Sequence, residues 1–104
     1  SDYVERFNTC MQKDVYKEIG HLPISQVTSA HILKIMKNTI QRVQSQPNYG
    51  TGEAAANLNR RFIGLVMRYA IVTLRADNDP TYAVRDAIET PESHYHPMYL
   101  HDDL

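Results

Sequence analysis

Lys34, Lys37, Asn38 and Gln41 stand at positions i, i+3, i+4 and i+7. On a helix this spacing puts all four on one face. Their side chains share a chemistry. Lysine ammonium groups neutralise phosphates, and the amides of asparagine and glutamine make bidentate hydrogen bonds to adenine edges in a major groove. A solvated helix face can hold the same residues, but it normally mixes both signs of charge in Glu–Lys pairs. Here acids are nearly absent. Residues 34–75 hold seven bases (Lys34, Lys37, Arg42, Arg60, Arg61, Arg68 and Arg75) against Glu53, or +6. Residues 76–104 hold seven acids against Arg85, or −6, and residues 1–20 come to −1. The formal net charge of −1 conceals this segregation. Such a field draws a polyanion to one side of a small protein.

A second polar stripe runs through Asn57, Arg61, Gly64 and Arg68, with Arg60 alongside. The missing side chain of Gly64 admits either the backbone of another molecule or a contact between helices. Arg42, Arg60, Arg61 and Arg68 are therefore candidates to grip phosphates, and Lys34, Lys37, Asn38 and Gln41 to face the duplex.

Other chemistries find no support. There is no Gly-rich phosphate loop and no Ser or Cys nucleophile paired with His at a recognisable spacing. His94, His96 and His101 fall within eight residues, but the segment reads as a linker and supplies no closed ligand set, so neither a metal nor a cofactor is expected. His21 and His31 stand at helix boundaries and read as structural or surface residues. Cys10 is the single cysteine; it cannot form an internal disulfide and reads as a buried thiol in a reducing cytoplasm. No run approaches the roughly 18 apolar residues that span a bilayer. With 104 residues, 42% of them apolar, the chain is expected to form one domain around one core.

The elements that must position these side chains are all helical. Val4, Phe7, Met11, Val15 and Ile19 predict a helix near 2–19, stopped by Gly20 and the extended His21-Leu22-Pro23-Ile24. A cap at Thr28 or Ser29 opens a second helix near 29–44. Its inner stripe is predicted as Leu33, Met36, Ile40 and Val43, with Ile32 beside it and Ile35 at its margin. Turn residues follow from Ser45 to Gly50. The third, central helix is predicted near 51–75, with Ala55, Leu58, Phe62, Leu65, Val66, Tyr69 and Val72 inward and Ile63, Met67, Ala70 and Leu74 widening that face. Phe62 and Val66 are its predicted core residues. Asp79 and Pro80 cap a short fourth helix near 80–88, with Val84, Ala87 and Ile88 inward.

Two segments carry a resemblance. Val15-Tyr16-Lys17-Glu18-Ile19-Gly20-His21-Leu22-Pro23-Ile24-Ser25-Gln26-Val27-Thr28 resembles the helix, Ile-Gly, Pro-Ile and Thr-cap segment of phage-type tyrosine recombinases, the integrases of temperate phages and genomic islands. Arg68-Tyr69-Ala70-Ile71-Val72-Thr73-Leu74-Arg75-Ala76-Asp77-Asn78-Asp79-Pro80 is similar to that family's Tyr-Ala-Ile, short turn, Asp/Asn-Pro segment, and Thr81 to Ile88 continues it. His94-Tyr95-His96-Pro97-Met98 falls where the family's interdomain connector often carries a histidine. The resemblance runs in order from residue 4 to residue 98 and covers the core-binding domain.

It implies an all-α, SAM-like four-helix bundle at residues 1–89, with a long central third helix and a short fourth. Residues 90–104 would then be a connector toward a C-terminal catalytic domain. The implied function is binding of double-stranded DNA in site-specific recombination and integration, inside a bacterial or phage-encoded cytoplasmic protein. The implied partners are the catalytic domain of the same polypeptide and other recombinase protomers on DNA. The family's catalytic arginines, histidine, lysine and tyrosine belong to that other domain, so this stretch is expected to be non-enzymatic and its parent a tyrosine recombinase. Two departures stand out: the net charge is −1 where the family is often basic, and the Gln44–Gly50 loop is long. The alternative is a small helical protein-interaction or oligomerisation module.

Overall fold

The structure, a computed structural model, describes residues 2–47 and 50–88. Helices α1 (Asp2–Cys10) and α2 (Tyr16–Ile19) join through a π-helical turn, Met11–Val15, into one rod. Helix α3 is Ser29–Gln44 and α4 is Glu53–Val72; 3-10 turns fall at Ile24–Gln26 and Tyr82–Val84. The fold is all-α, with no strand among the described residues. The expected division at residue 89, the connector 90–104 and its histidines lie outside those residues.

The π turn is the feature of the first rod that apolar spacing does not announce. The Tyr16 N–H donates to Met11 O, five residues back. The widened turn buries Asp14 together with Met11 and Val15. After Gly20 the chain turns, with the Leu22 N–H bonding Ile19 O at 3.0 Å, and Pro23 (φ −59°, ψ 145°) leads into the 3-10 turn, so the extended connection expected at 21–24 is largely a turn. Thr28 then caps α3: its hydroxyl accepts from the His31 N–H while its own N–H donates to His31 Nδ1, both orphan donors being satisfied reciprocally. Ser29, the other candidate cap, instead donates its hydroxyl to Pro80 O at 2.9 Å.

The buried side of α3 is Ile32, Ile35, Met36, Thr39 and Val43, whereas Leu33 and Ile40 are half-buried. The predicted stripe was thus rotated away from Ile35, which is fully buried. Thr39 explains the shift: it reads as polar, but its hydroxyl donates to Ile35 O at 2.7 Å and so can face the core.

Gly52 starts α4 at φ +93°, and a Cβ there would lie 2.8 Å from Ile40 Cα. Only glycine suits both the dihedral and the approach of α4 onto α3. Helix α4 buries Ala56, Asn57, Asn59, Phe62, Ile63, Gly64, Met67 and Ala70. Phe62 is a core residue as predicted, with edge-on ring contacts to Tyr3 (5.6 Å) and Phe7 (5.2 Å). Val66 is only half-buried, and Leu65, Tyr69, Val72 and Leu74 are exposed, which corrects the predicted face. Small residues, Ala56, Gly64 and Ala70, line the side that neighbours approach.

α4 ends at Val72, not near 75. Leu74 is left-handed (φ 64°), its N–H bonds Ile71 O at 3.1 Å, and the Arg75 N–H bonds Ala70 O at 2.7 Å. This is a Schellman closure, with leucine where glycine is usual.

The predicted fourth helix is not formed; only Tyr82–Val84 is helical, as a 3-10 turn. In an α-helix the Pro80 carbonyl would accept from the Val84 N–H. Here it accepts from Ser29, and the Val84 N–H turns to Thr81 O at 3.3 Å. Asp79 does cap, accepting from the Thr81 N–H at 2.9 Å. The segment continues through i to i+3 bonds, Arg85 to Tyr82 and Ala87 to Val84.

Candidate nucleic-acid interface

Helix α3 is fixed at its start by the Thr28–His31 box and along its length by the core. This leaves Lys34, Lys37, Asn38 and Gln41 together on its outer face, all exposed. Lys34 lies 3.5 Å from Glu18 of α2. Its side chain remains 64% exposed, so the pair is a surface ion pair of at most about 1 kcal/mol and does not immobilise the ammonium group.

Arg42 is placed differently. Its Nε and Nη2 donate to the two oxygens of Asp14 at 2.7 and 2.9 Å. Asn59 Nδ2 from α4 donates to Asp14 Oδ2 and to Thr39 Oγ1, both at 2.9 Å. One carboxylate in the π turn thereby ties all three helical rods together. Asn59 Oδ1 is buried and without a hydrogen-bond partner. Burial alone would push the Asp14 carboxyl up; the hydrogen bonds from Arg42 and Asn59 and the Arg42 charge outweigh it and hold the group below the usual carboxylate range. The same bond to Asp14 raises Arg42. Sequence reasoning missed Asp14, Thr39 and Asn59. The available signal was an acid between Met11 and Val15, on a rod whose neighbours supply Arg42.

The sign of this linkage gives a prediction. A carboxyl whose folded pKa lies below its unfolded value, about 3.9, contributes stability above that value and loses it as pH falls through the folded pKa. Asp14→Asn is therefore expected to be destabilised relative to the parent at pH 7, with the difference closing below about pH 4. Urea unfolding at pH 7 and pH 3 measures it. A difference that stays constant across that span contradicts the linkage.

The arginines of α4 divide. Asn57 donates to Ile88 O at 3.0 Å, and Arg60 Nε to Asn57 Oδ1 at 3.4 Å. Burial first, and then the charge of Arg61, lower the Arg60 pKa, while Asp86 and Asp79 oppose that shift. A Cβ on Gly64 would sit 3.1 Å from Thr81 Oγ1. Arg68 lies 3.4 Å from Asp79, an exposed and weak pair. The polar stripe is thus the seat of residues 79–88, and Gly64 serves packing within the chain. Arg61 is exposed. No group of three or more His, Cys, Asp or Glu comes together to hold a metal among the described residues. No helix among them is long and apolar enough to cross a membrane.

This all-helical geometry meets a family comparison. The family model of the phage integrase central domain matches residues 1–87. The chain belongs to that family. No curated protein and no solved structure matches it. In this integrase central domain the matched span takes in every helix among the described residues and the 79–87 segment folded onto α4.

Proposed function

We propose that this integrase domain binds double-stranded DNA through the outer face of α3 and so positions a catalytic domain of the same polypeptide for strand exchange. The observation that carries this is the joint exposure of Lys34, Lys37, Asn38 and Gln41 on one rigid helix. The lysines would meet phosphates, and Asn38 and Gln41 would reach base edges. Arg42 acts from behind, bound to Asp14 and fixing α3 against the other rods. Arg60, Arg61 and Arg68 lie on α4; Arg61 is exposed and would add a phosphate contact, whereas Arg60 and Arg68 would do so only where Asp79 and Asp86 are displaced. The domain would extend to residue 89, with 90–104 as connector. The parent would be a cytoplasmic, phage-type tyrosine recombinase, working with other protomers on DNA.

A few neutralised phosphates support non-specific dissociation constants of about 10⁻⁴ to 10⁻⁶ M at physiological salt. The acidic C-terminal third keeps the isolated domain at the weak end, and a linked catalytic domain raises affinity through effective concentration. Replacing Lys34 and Lys37 together with alanine is expected to weaken binding to every duplex and flatten the salt slope by up to about two units. Asn38→Ala or Gln41→Ala should change the preference between duplexes more than the overall affinity. Fluorescence anisotropy across a salt series reads both effects. Binding insensitive to salt would instead favour the interaction-module reading.

A further inference from the structure

Helix α4 carries two apolar stripes, and the fold buries only one of them in full. The inner stripe, Ala56, Ile63, Met67 and Ala70, is buried around Asn59. The outer stripe, Leu58, Phe62, Leu65, Tyr69 and Val72, advances in steps of four, three, four and three. That is the spacing at which two helices pack knobs into holes. Its first half is covered, since Leu58 is half-buried and Phe62 lies beneath Tyr3 and Phe7. Its second half is open: Leu65 is 44% exposed, Tyr69 65% and Val72 78%. Single exposed apolar residues need no explanation, but a row of them marks a contact surface.

Both flanks of this row carry information. On one side Val66 helps line an apolar groove of about 210 Å³, with Phe7, Met11, Tyr16 and Ile19 opposite. On the other side stand Arg61 and Arg68, one heptad apart and both exposed. Glu53 is the one acid of α4 and sits in its first turn, far from this half.

We propose that the outer half-stripe of α4 is a docking site for an amphipathic partner helix that lays an apolar seam on Leu65, Tyr69 and Val72 and sets carboxylates against Arg61 and Arg68. A second copy docking antiparallel through the same stripe would place those arginines opposite themselves, and like charges repel. DNA fits poorly, because its hydrated phosphates gain nothing from three apolar side chains. The site uses no residue of the α3 face; it shares only Arg61 and Arg68 with the duplex reading, and the apolar seam of Leu65, Tyr69 and Val72 distinguishes the two.

Two synthetic helical peptides of about five turns test it, each with leucine at the seam, one flanked by glutamate and the other by lysine. They are titrated into the isotope-labelled chain and followed by amide NMR. The glutamate peptide is expected to move the signals of Leu65, Val66, Tyr69 and Val72 and to bind about tenfold tighter than the lysine peptide. The double substitution Arg61→Glu with Arg68→Glu should invert that preference. Because Arg68 also touches Asp79, Arg61→Ala alone serves as the control and should reduce the preference to about threefold. Equal affinity for both peptides, or shifts confined to other surfaces, overturns the proposal. So does concentration-dependent dimerisation through these residues without peptide, or the same shifts on adding duplex DNA in place of peptide.

Discussion

Replacing Phe62 with alanine is expected to destabilise the domain by about 3–5 kcal/mol, the range for a buried phenylalanine truncated to its Cβ. Phe62 is 2% exposed, and Tyr3 and Phe7 both meet it edge-on. Its ring joins α4 to α1. The loss therefore combines the transfer free energy of one ring with the contacts of two others. Domains of this size often have only about 5–15 kcal/mol in total, so the variant should melt more than about 12 °C below the parent or fail to fold at 37 °C. Thermal denaturation followed by circular dichroism measures it. A melting temperature within about 3 °C of the parent would mean that α1 does not depend on this ring.

The second large effect is expected at Asp14. Asp14→Ala leaves the Arg42 guanidinium and the Asn59 amide without their shared acceptor. Breaking a buried pair by removing one partner costs about 3–5 kcal/mol. Arg42 keeps 30% of its side chain in solvent and can turn outward, which places the expected loss near 3 kcal/mol. A double-mutant cycle with Arg42→Ala separates this from the loss of packing. The pair is expected to couple by more than about 1 kcal/mol, because each single substitution strands the other group. Additive effects would show that the bidentate contact contributes little and that Asp14 matters through the π turn alone.

These two residues also show what the sequence makes legible. Helix boundaries marked by local chemistry are readable: Gly20 and Pro23 close the first rod, Thr28 opens α3, and the turn residues from Ser45 precede α4. All three report backbone preferences that act within a few residues. The inward faces are less readable. In α4 the more apolar outer stripe, with Leu58, Leu65, Tyr69 and Val72, outscores the true inner one, where alanines and Asn59 face the core. Small residues allow close approach, and Asn59 enters the interior because Asp14 and Thr39 accept from it. Neither reason can be seen without the partner helix.

The same holds for the fourth helix. Asp79 and Pro80 are sound starting signals, and Asp79 does cap Thr81. Ser29, fifty-one residues earlier, takes the carbonyl that helix propagation needs. A tertiary hydrogen bond thus overrides a local propensity. Of the candidate site, the α3 face Lys34, Lys37, Asn38 and Gln41 follows from spacing alone, because exposed polar periodicity needs no partner to be recognised. The arginines do not follow in this way. Arg42 and Arg68 stand beside acids from other segments, Asp14 and Asp79, and Arg60 bonds Asn57 of its own helix, whose amide in turn holds Ile88 O.

The α3 face is where the functional account is most exposed to test, and amide chemical-shift mapping with duplex DNA addresses it directly. The account predicts shifts centred on Lys34, Lys37, Asn38 and Gln41 that shrink as salt is raised and are lost when both lysines are replaced by alanine. No salt-sensitive shifts, or shifts centred on another face with the α3 signals unmoved, would contradict it.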